Sequence, residues 1–131
     1  MSVEANRKTS VKLSRSGYEH AQELIRSGHA VIDERDDWSE HQPSAAQENE
    51  FIEQHGWSAY GRWHLGVDEE ENRETKGHYK FPYGDFRKVH RCGLLAAESR
   101  AGQRKYFDIE RAVAYLHGML EALHSTARSA R

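Results

Sequence analysis

Nine histidines, one cysteine and several runs of carboxylates are the residues of this chain able to do chemistry. Their spacing decides which chemistry. A helical metal chelate needs two histidines four residues apart on one face, and no pair here has that interval. His90 and Cys92 are two apart, so a helix through them would aim them in different directions. His117 and His124 lie seven apart, about two turns, too far to share an ion on a straight helix. His55, His64, His78 and His90 would form a site only by converging in space. The reading is that no metal and no cofactor is assigned, with those four histidines as the lesser candidates.

The carboxylates are no more specific. The run Asp68, Glu69, Glu70, Glu71 resembles a calcium loop in composition only. Arg73 stands where such a loop needs its glycine, and Tyr79 where it needs its last glutamate. Cys92 has apolar neighbours and reads as a small core residue in mid-helix. The chain has no G-x-S-x-G elbow, phosphate-binding glycine loop or dinucleotide fingerprint. It reads as non-catalytic.

Charge is distributed unevenly. Residues 33–71 are rich in acid and carry only Arg35 and Arg62 as bases. Residues 86–105 reverse the balance: Arg87, Lys88, Arg91, Arg100, Arg104 and Lys105 face the single acid Glu98. That segment is the candidate partner-binding surface, for an acidic protein first and for nucleic acid second. A phosphate backbone would suit Arg87 and Arg91 one helical turn apart, whereas the net charge of −2 opposes it.

The elements that must position these residues are mostly helical. Ser16 and Glu19 have capping-box spacing, with Tyr18, Ala21, Leu24 and Ile25 on one face and Gly28 as a left-handed stop. Val31 and Ile32 suit a very short strand, followed by an acidic connector anchored by Trp38. Ser44 and Gln47 repeat the capping spacing before a helix that Gly56 ends, and Ser58 starts a shorter one. Phe51, Trp57, Tyr60 and Trp63 are the expected aromatic heart of the core. Residues 63–67 and 78–81 fit a hairpin, and Phe81-Pro82-Tyr83-Gly84 a turn. Asp85 is placed to cap a helix over 86–101, whose Gly93, Ala96 and Ala97 make a smooth stripe for close packing. Asp108 caps the last helix, where Ile109, Ala112, Val113, Leu116, Met119, Leu120 and Leu123 follow the helical period at every step.

The pattern Trp63-His64-Leu65-Gly66 with Asp68, then Thr75-Lys76-Gly77, then residues 81–86, then Val89-His90-Arg91 with Gly93, Leu94, Ala96 and Ala97 resembles a small family of bacterial proteins. That family carries no assigned activity, so the resemblance implies a bacterial origin and no chemistry. A fainter likeness, a turn proline before an arginine–glycine–alanine helix, is to helical segments accompanying tailed-phage prohead proteases. With no protease motif here, it implies at most an assembly role.

At 131 residues, 31% charged and 37% apolar with three tryptophans, the chain suits one folded domain rather than disorder. One cysteine excludes an internal disulfide and suits a reducing compartment. No apolar run reaches membrane-spanning length, and the N-terminus lacks the apolar core of a signal peptide. The expectation is a soluble, cytoplasmic, mainly α protein of four to five helices with room for one minimal β-hairpin. Residues 1–15 are expected to form a flexible basic tail, 16–124 the domain and 125–131 a frayed end. The expected role is a non-catalytic protein-interaction module without a membrane partner; the alternatives are nucleic-acid association and histidine metal binding.

Overall fold

The structure, a computed structural model, describes residues 10–129. It is mainly α, as the helical periods require, but carries more strand than one hairpin. Three strands form an antiparallel sheet in the order β1 (Val11–Leu13), β3 (His64–Asp68), β4 (Tyr79–Pro82). Two shorter strands, β2 (Ala30–Val31) and β5 (Val89–His90), pair in parallel. Helices α1 (Arg15–Arg26), α2 (Trp38–His41), α3 (Ala45–Gly61), α4 (Arg91–Gln103) and α5 (Phe107–Ser129) pack around them. No helix among the described residues is long and apolar enough to cross a membrane.

The hairpin forms where alternation suggests it, with Gly66 opposite Lys80 and Val67 opposite Tyr79. Strand β1 is a correction: it lies in the segment expected as a tail, whose residues 1–9 fall outside those described. Val11 and Leu13 turn inward and Lys12 outward, and the strand pairs with β3 through Lys12 opposite Val67. Three residues are too short a run to announce a strand in sequence. The N–H of Ser14 then donates to Leu65 O (2.9 Å), which fixes Ser14 in extended backbone. Its hydroxyl accepts from the Gly17 N–H at 3.1 Å, so Ser14 rather than Ser16 caps α1. Ala21 and Ile25 are buried, and Gly28 ends the helix at φ +82° as expected.

Ser44 and Gln47 form the expected reciprocal capping pair at 3.1 and 2.8 Å. Gly56, at φ +89°, breaks α3 into two segments. Tyr60 and Trp63 are buried as expected, with Phe51 and Trp57 half-buried beside them. The long helix α5 buries Ile109, Val113, Leu116 and Leu120, half-buries Met119 and leaves Leu123 exposed. It begins one residue before its expected cap and continues through Ser129, where fraying was expected.

The helix expected over 86–101 begins instead at Arg91. Asp85 does what a cap does: its Oδ1 accepts from the N–H groups of Arg87 (2.9 Å) and Lys88 (2.7 Å). Those bonds close a turn rather than start a helix. Phe86 lies at φ +72°, and Gly84 bridges back to Val89 in antiparallel fashion. The chain is thereby extended through Val89 and His90 before α4 starts.

Two glycines mark close backbone approaches. A Cβ on Gly17 would lie 1.7 Å from His64 O, so α1 rests directly on β3. A Cβ on Gly93 would lie 2.8 Å from Tyr83 O and 2.9 Å from the Trp38 ring. Gly93 of α4 therefore faces the 83–84 turn and α2. Gly17→Ala should lower stability by about 3 kcal/mol through forced backbone separation, despite the ~1 kcal/mol of helix propensity that alanine gains. Urea denaturation of the variant checks this; an unchanged or higher midpoint would mean that α1 does not touch the sheet.

Candidate metal centre

The parallel bridge between β2 and β5 sets Ala30 opposite Val89 and Val31 opposite His90. Chain leaving β2 therefore arrives beside the start of α4. Asp33 follows β2 by two residues, His90 ends β5, and Cys92 is the second residue of α4. The connector turns through a 3-10 segment (Arg35–Asp37) and α2, which returns His41 to Asp33.

Asp33 is the centre of the resulting cluster and is buried. Its Oδ1 accepts the Cys92 backbone N–H at 2.7 Å. Its Oδ2 lies 2.7 Å from His41 Nδ1, 2.7 Å from His90 Nδ1 and 3.1 Å from the Cys92 thiol, which donates to it. The thiol lies 3.8 Å from His41 Nδ1. One ligand atom from each of Asp33, His41, His90 and Cys92 falls within a common 4.8 Å. Behind them, His90 Nε2 is 2.8 Å from Asp85 Oδ2. Arg91 donates to Asp33 O (3.0 Å) and to Glu121 (2.6 Å), tying the cluster to α5.

Electrostatics follow from this arrangement. Burial pushes the Asp33 carboxyl up, but hydrogen bonds from His90, the Cys92 amide, the thiol and His41 outweigh it and hold the group at about 2. The Asp33 contact raises His41 above its ordinary value, against partial desolvation. Burial, then the bond to Asp33 and its charge, push the Cys92 thiol up to about 12. His90 has a carboxylate oxygen on each nitrogen. No buried side-chain nitrogen or oxygen among the described residues is left without a partner.

A thiol nucleophile is poorly served here. A catalytic histidine uses one nitrogen on the nucleophile and the other on its orienting carboxylate. In this cluster the same His41 Nδ1 faces both Asp33 and Cys92, and the thiol is held protonated. A metal ion is better served. Tetrahedral bonds of about 2.0–2.3 Å separate donor atoms by about 3.3–3.6 Å; four of the donor pairs here lie 2.7 to 3.8 Å apart, and all four donors lie within 4.8 Å of one another. Asp85 supplies the carboxylate that typically orients a ligating histidine from behind.

A cleft of about 670 Å³ adjoins the cluster, lined in part by His41, Asp85, Phe51, Phe86, His55 and Arg87. His41, whose side chain is 35% exposed, is the donor that faces it. Of the four sequence candidates, only His90 enters the cluster. His55 packs against Phe51 at 4.6 Å, the rings tilted by 40°, in the cleft wall. His78 bonds Glu71 O (2.9 Å), and His64 bonds Tyr60 O (2.9 Å). Asp33, His41 and Cys92 were missed. The His90-x-Cys92 spacing carried the available signal, which a helical reading of 86–101 concealed; an extended-to-helical junction turns both side chains to one side. Cys92 is fully buried, as expected of a core residue, but it stands in the first turn of α4 rather than in mid-helix. Four of the six basic residues of the 86–105 segment have distinct surroundings. Arg87 lines the cleft, Arg91 points to Glu121, and Arg100 and Arg104 line a separate cavity.

Compared with known protein families, curated proteins and solved structures, the chain matches none.

His64 provides a pH test of this placement. Burial pushes it down to about 4, with the Tyr60 carbonyl opposing in part. Its folded value lies below the ordinary 6.5, so the unfolded chain takes up the proton first as pH falls. The stability due to neutral His64 is complete above pH 6.5 and is lost as pH falls toward 4, by up to about 3 kcal/mol. In urea titrations across that range, wild type should lose its margin over His64→Gln. Parallel curves would contradict the burial of a neutral ring.

Proposed function

We propose that this protein is a non-catalytic metal-binding module holding one zinc-class dication on Asp33, His41, His90 and Cys92. The observation that carries the reading is the convergence of these four donors, with Asp85 on the far nitrogen of His90. One sulfur, two imidazoles and one carboxylate suit zinc or a neighbouring transition metal; magnesium and calcium prefer oxygen shells. Charge also balances. A dication facing one thiolate, one carboxylate and two neutral imidazoles gives a neutral buried centre. The ion would replace the protons on the thiol and on the two Nδ1 atoms, so binding releases protons and tightens as pH rises.

Four protein donors complete a tetrahedron, which favours a structural role over an open coordination position. The ion would staple the 33–41 connector to the β5–α4 junction, adding to the Arg91–Asp33 O bond and the Trp38–Gly93 contact that already join them. Such a rigid module agrees with an interaction role.

Titration with cobalt(II) tests this reading. One equivalent should bind with a thiolate-to-metal charge-transfer band and proton release, and zinc should displace it. Cys92→Ser should abolish the band, and Asp85→Asn should weaken binding by about 10–100-fold through the unsupported His90. Absence of a stoichiometric site tighter than about 1 µM would overturn it, since structural zinc sites bind far more tightly.

A further inference from the structure

A second cavity, of about 300 Å³, lies between the antiparallel sheet and α4. Lys80 on β4, Arg100 on α4 and Arg104 at the C-cap of α4 all line it, with Phe81 and Tyr106 as apolar walls. The two rings meet edge to face at 6.0 Å. Arg100 and Arg104 are one helical turn apart, a spacing at which like charges repel. None of the three cations belongs to an ion pair among the described residues, whereas Lys12, Lys76 and Arg91 each have a glutamate partner. Asp68 also lines the cavity, with its Oδ1 taken by Ser10 Oγ (2.5 Å) and the Glu70 N–H (3.0 Å). Three cations against one carboxylate, which feels the Lys80 charge, leave the cavity lining net positive in a chain whose net charge is −2.

Phe81 lies at φ +62° within β4, a left-handed position that a bulky residue keeps only where its surroundings impose it. Lys105, also at φ +62°, closes the C-terminus of α4, its N–H donating to Gly102 O and that of Tyr106 to Ala101 O.

We infer that Lys80, Arg100 and Arg104 form a binding site for a phosphorylated small molecule. Two guanidinium forks and an ammonium around a concavity match the several acceptor oxygens of one phosphate group. The Phe81 and Tyr106 rings would cover the apolar part of the ligand. A concave cluster suits a compact anion, whereas a nucleic-acid backbone needs cations spread along a face. The site is independent of the proposed metal centre, which involves none of these residues.

Calorimetric titration of the full chain with phenyl phosphate, inorganic phosphate and a short DNA duplex tests the inference. Phenyl phosphate should bind one to one at low salt, more tightly than inorganic phosphate. The double variant Arg100→Gln/Arg104→Gln should weaken binding at least about tenfold, as should Lys80→Gln, since each removes charge-assisted bonds. Arg87→Gln, in the other cleft, should leave it unchanged. Melting curves should stay as in wild type for the arginine variants, whose side chains are exposed. No saturable phenyl phosphate binding by about 10 mM, far weaker than a specific pocket gives, would overturn the inference. So would equal weakening by Arg87→Gln, or tighter binding of the duplex than of phenyl phosphate.

Discussion

The Asp33 carboxylate is the interaction on which this arrangement depends. A buried carboxylate is costly unless its oxygens are fully engaged. Here one oxygen takes a backbone N–H, and the other gathers two imidazoles and a thiol. These partners come from α2, a few residues further on, and from the contiguous β5 and α4, far along the chain. Asp33 thereby fixes the course of the acidic connector, whose other anchor is Trp38 packed over Gly93. It also aims the two histidines and the cysteine at one point.

Protons and the proposed dication would compete for that point. With protons, the cluster is a satisfied hydrogen-bonded hub, with the thiol held neutral near 12 by burial and by Asp33. A dication would invert the same field, because it stabilises the thiolate that Asp33 disfavours. The second carboxylate, Asp85, serves both states: it accepts from His90 Nε2 whichever partner Nδ1 has. Burial first raises Asp85, and the His90 contact and the Lys88 and Arg87 amides bring it below the usual carboxylate range. Its other oxygen closes the turn that ends in His90, so one side chain sets both the ring's position and its hydrogen bonding.

Backbone approaches give this cluster its rigid surroundings. Gly93 admits Tyr83 O and the Trp38 ring against the first turn of α4, one residue from Cys92. Tyr83 is itself fully buried, stacked on Trp63 at 5.6 Å and bonded through its hydroxyl to Arg62 O. The aromatic core and the polar cluster thus meet at one glycine. Its small size was legible in the sequence, but which neighbour required it was not, because a helix period places a residue on a face without saying what covers that face.

Local chemistry was enough for much of the fold. The Ser44–Gln47 cap, the glycine stops at 28 and 56, the hairpin and the α5 stripe all rest on interactions between near neighbours, which sequence spacing reports directly. Strands β1 and β2 have only three and two residues, and their partners lie far along the chain. Asp85 shows the limit of local reading: an aspartate that accepts the next amides begins a helix or closes a turn, and here the left-handed Phe86 and the Gly84–Val89 bridge chose the turn. The clustered donors follow the same logic. Residue types in the sequence supplied a cysteine, histidines and carboxylates, but the parallel bridge between β2 and β5 brought 33 and 41 to 90 and 92. Convergence across nearly sixty residues is a property of tertiary packing, for which spacing along the chain carries no signal.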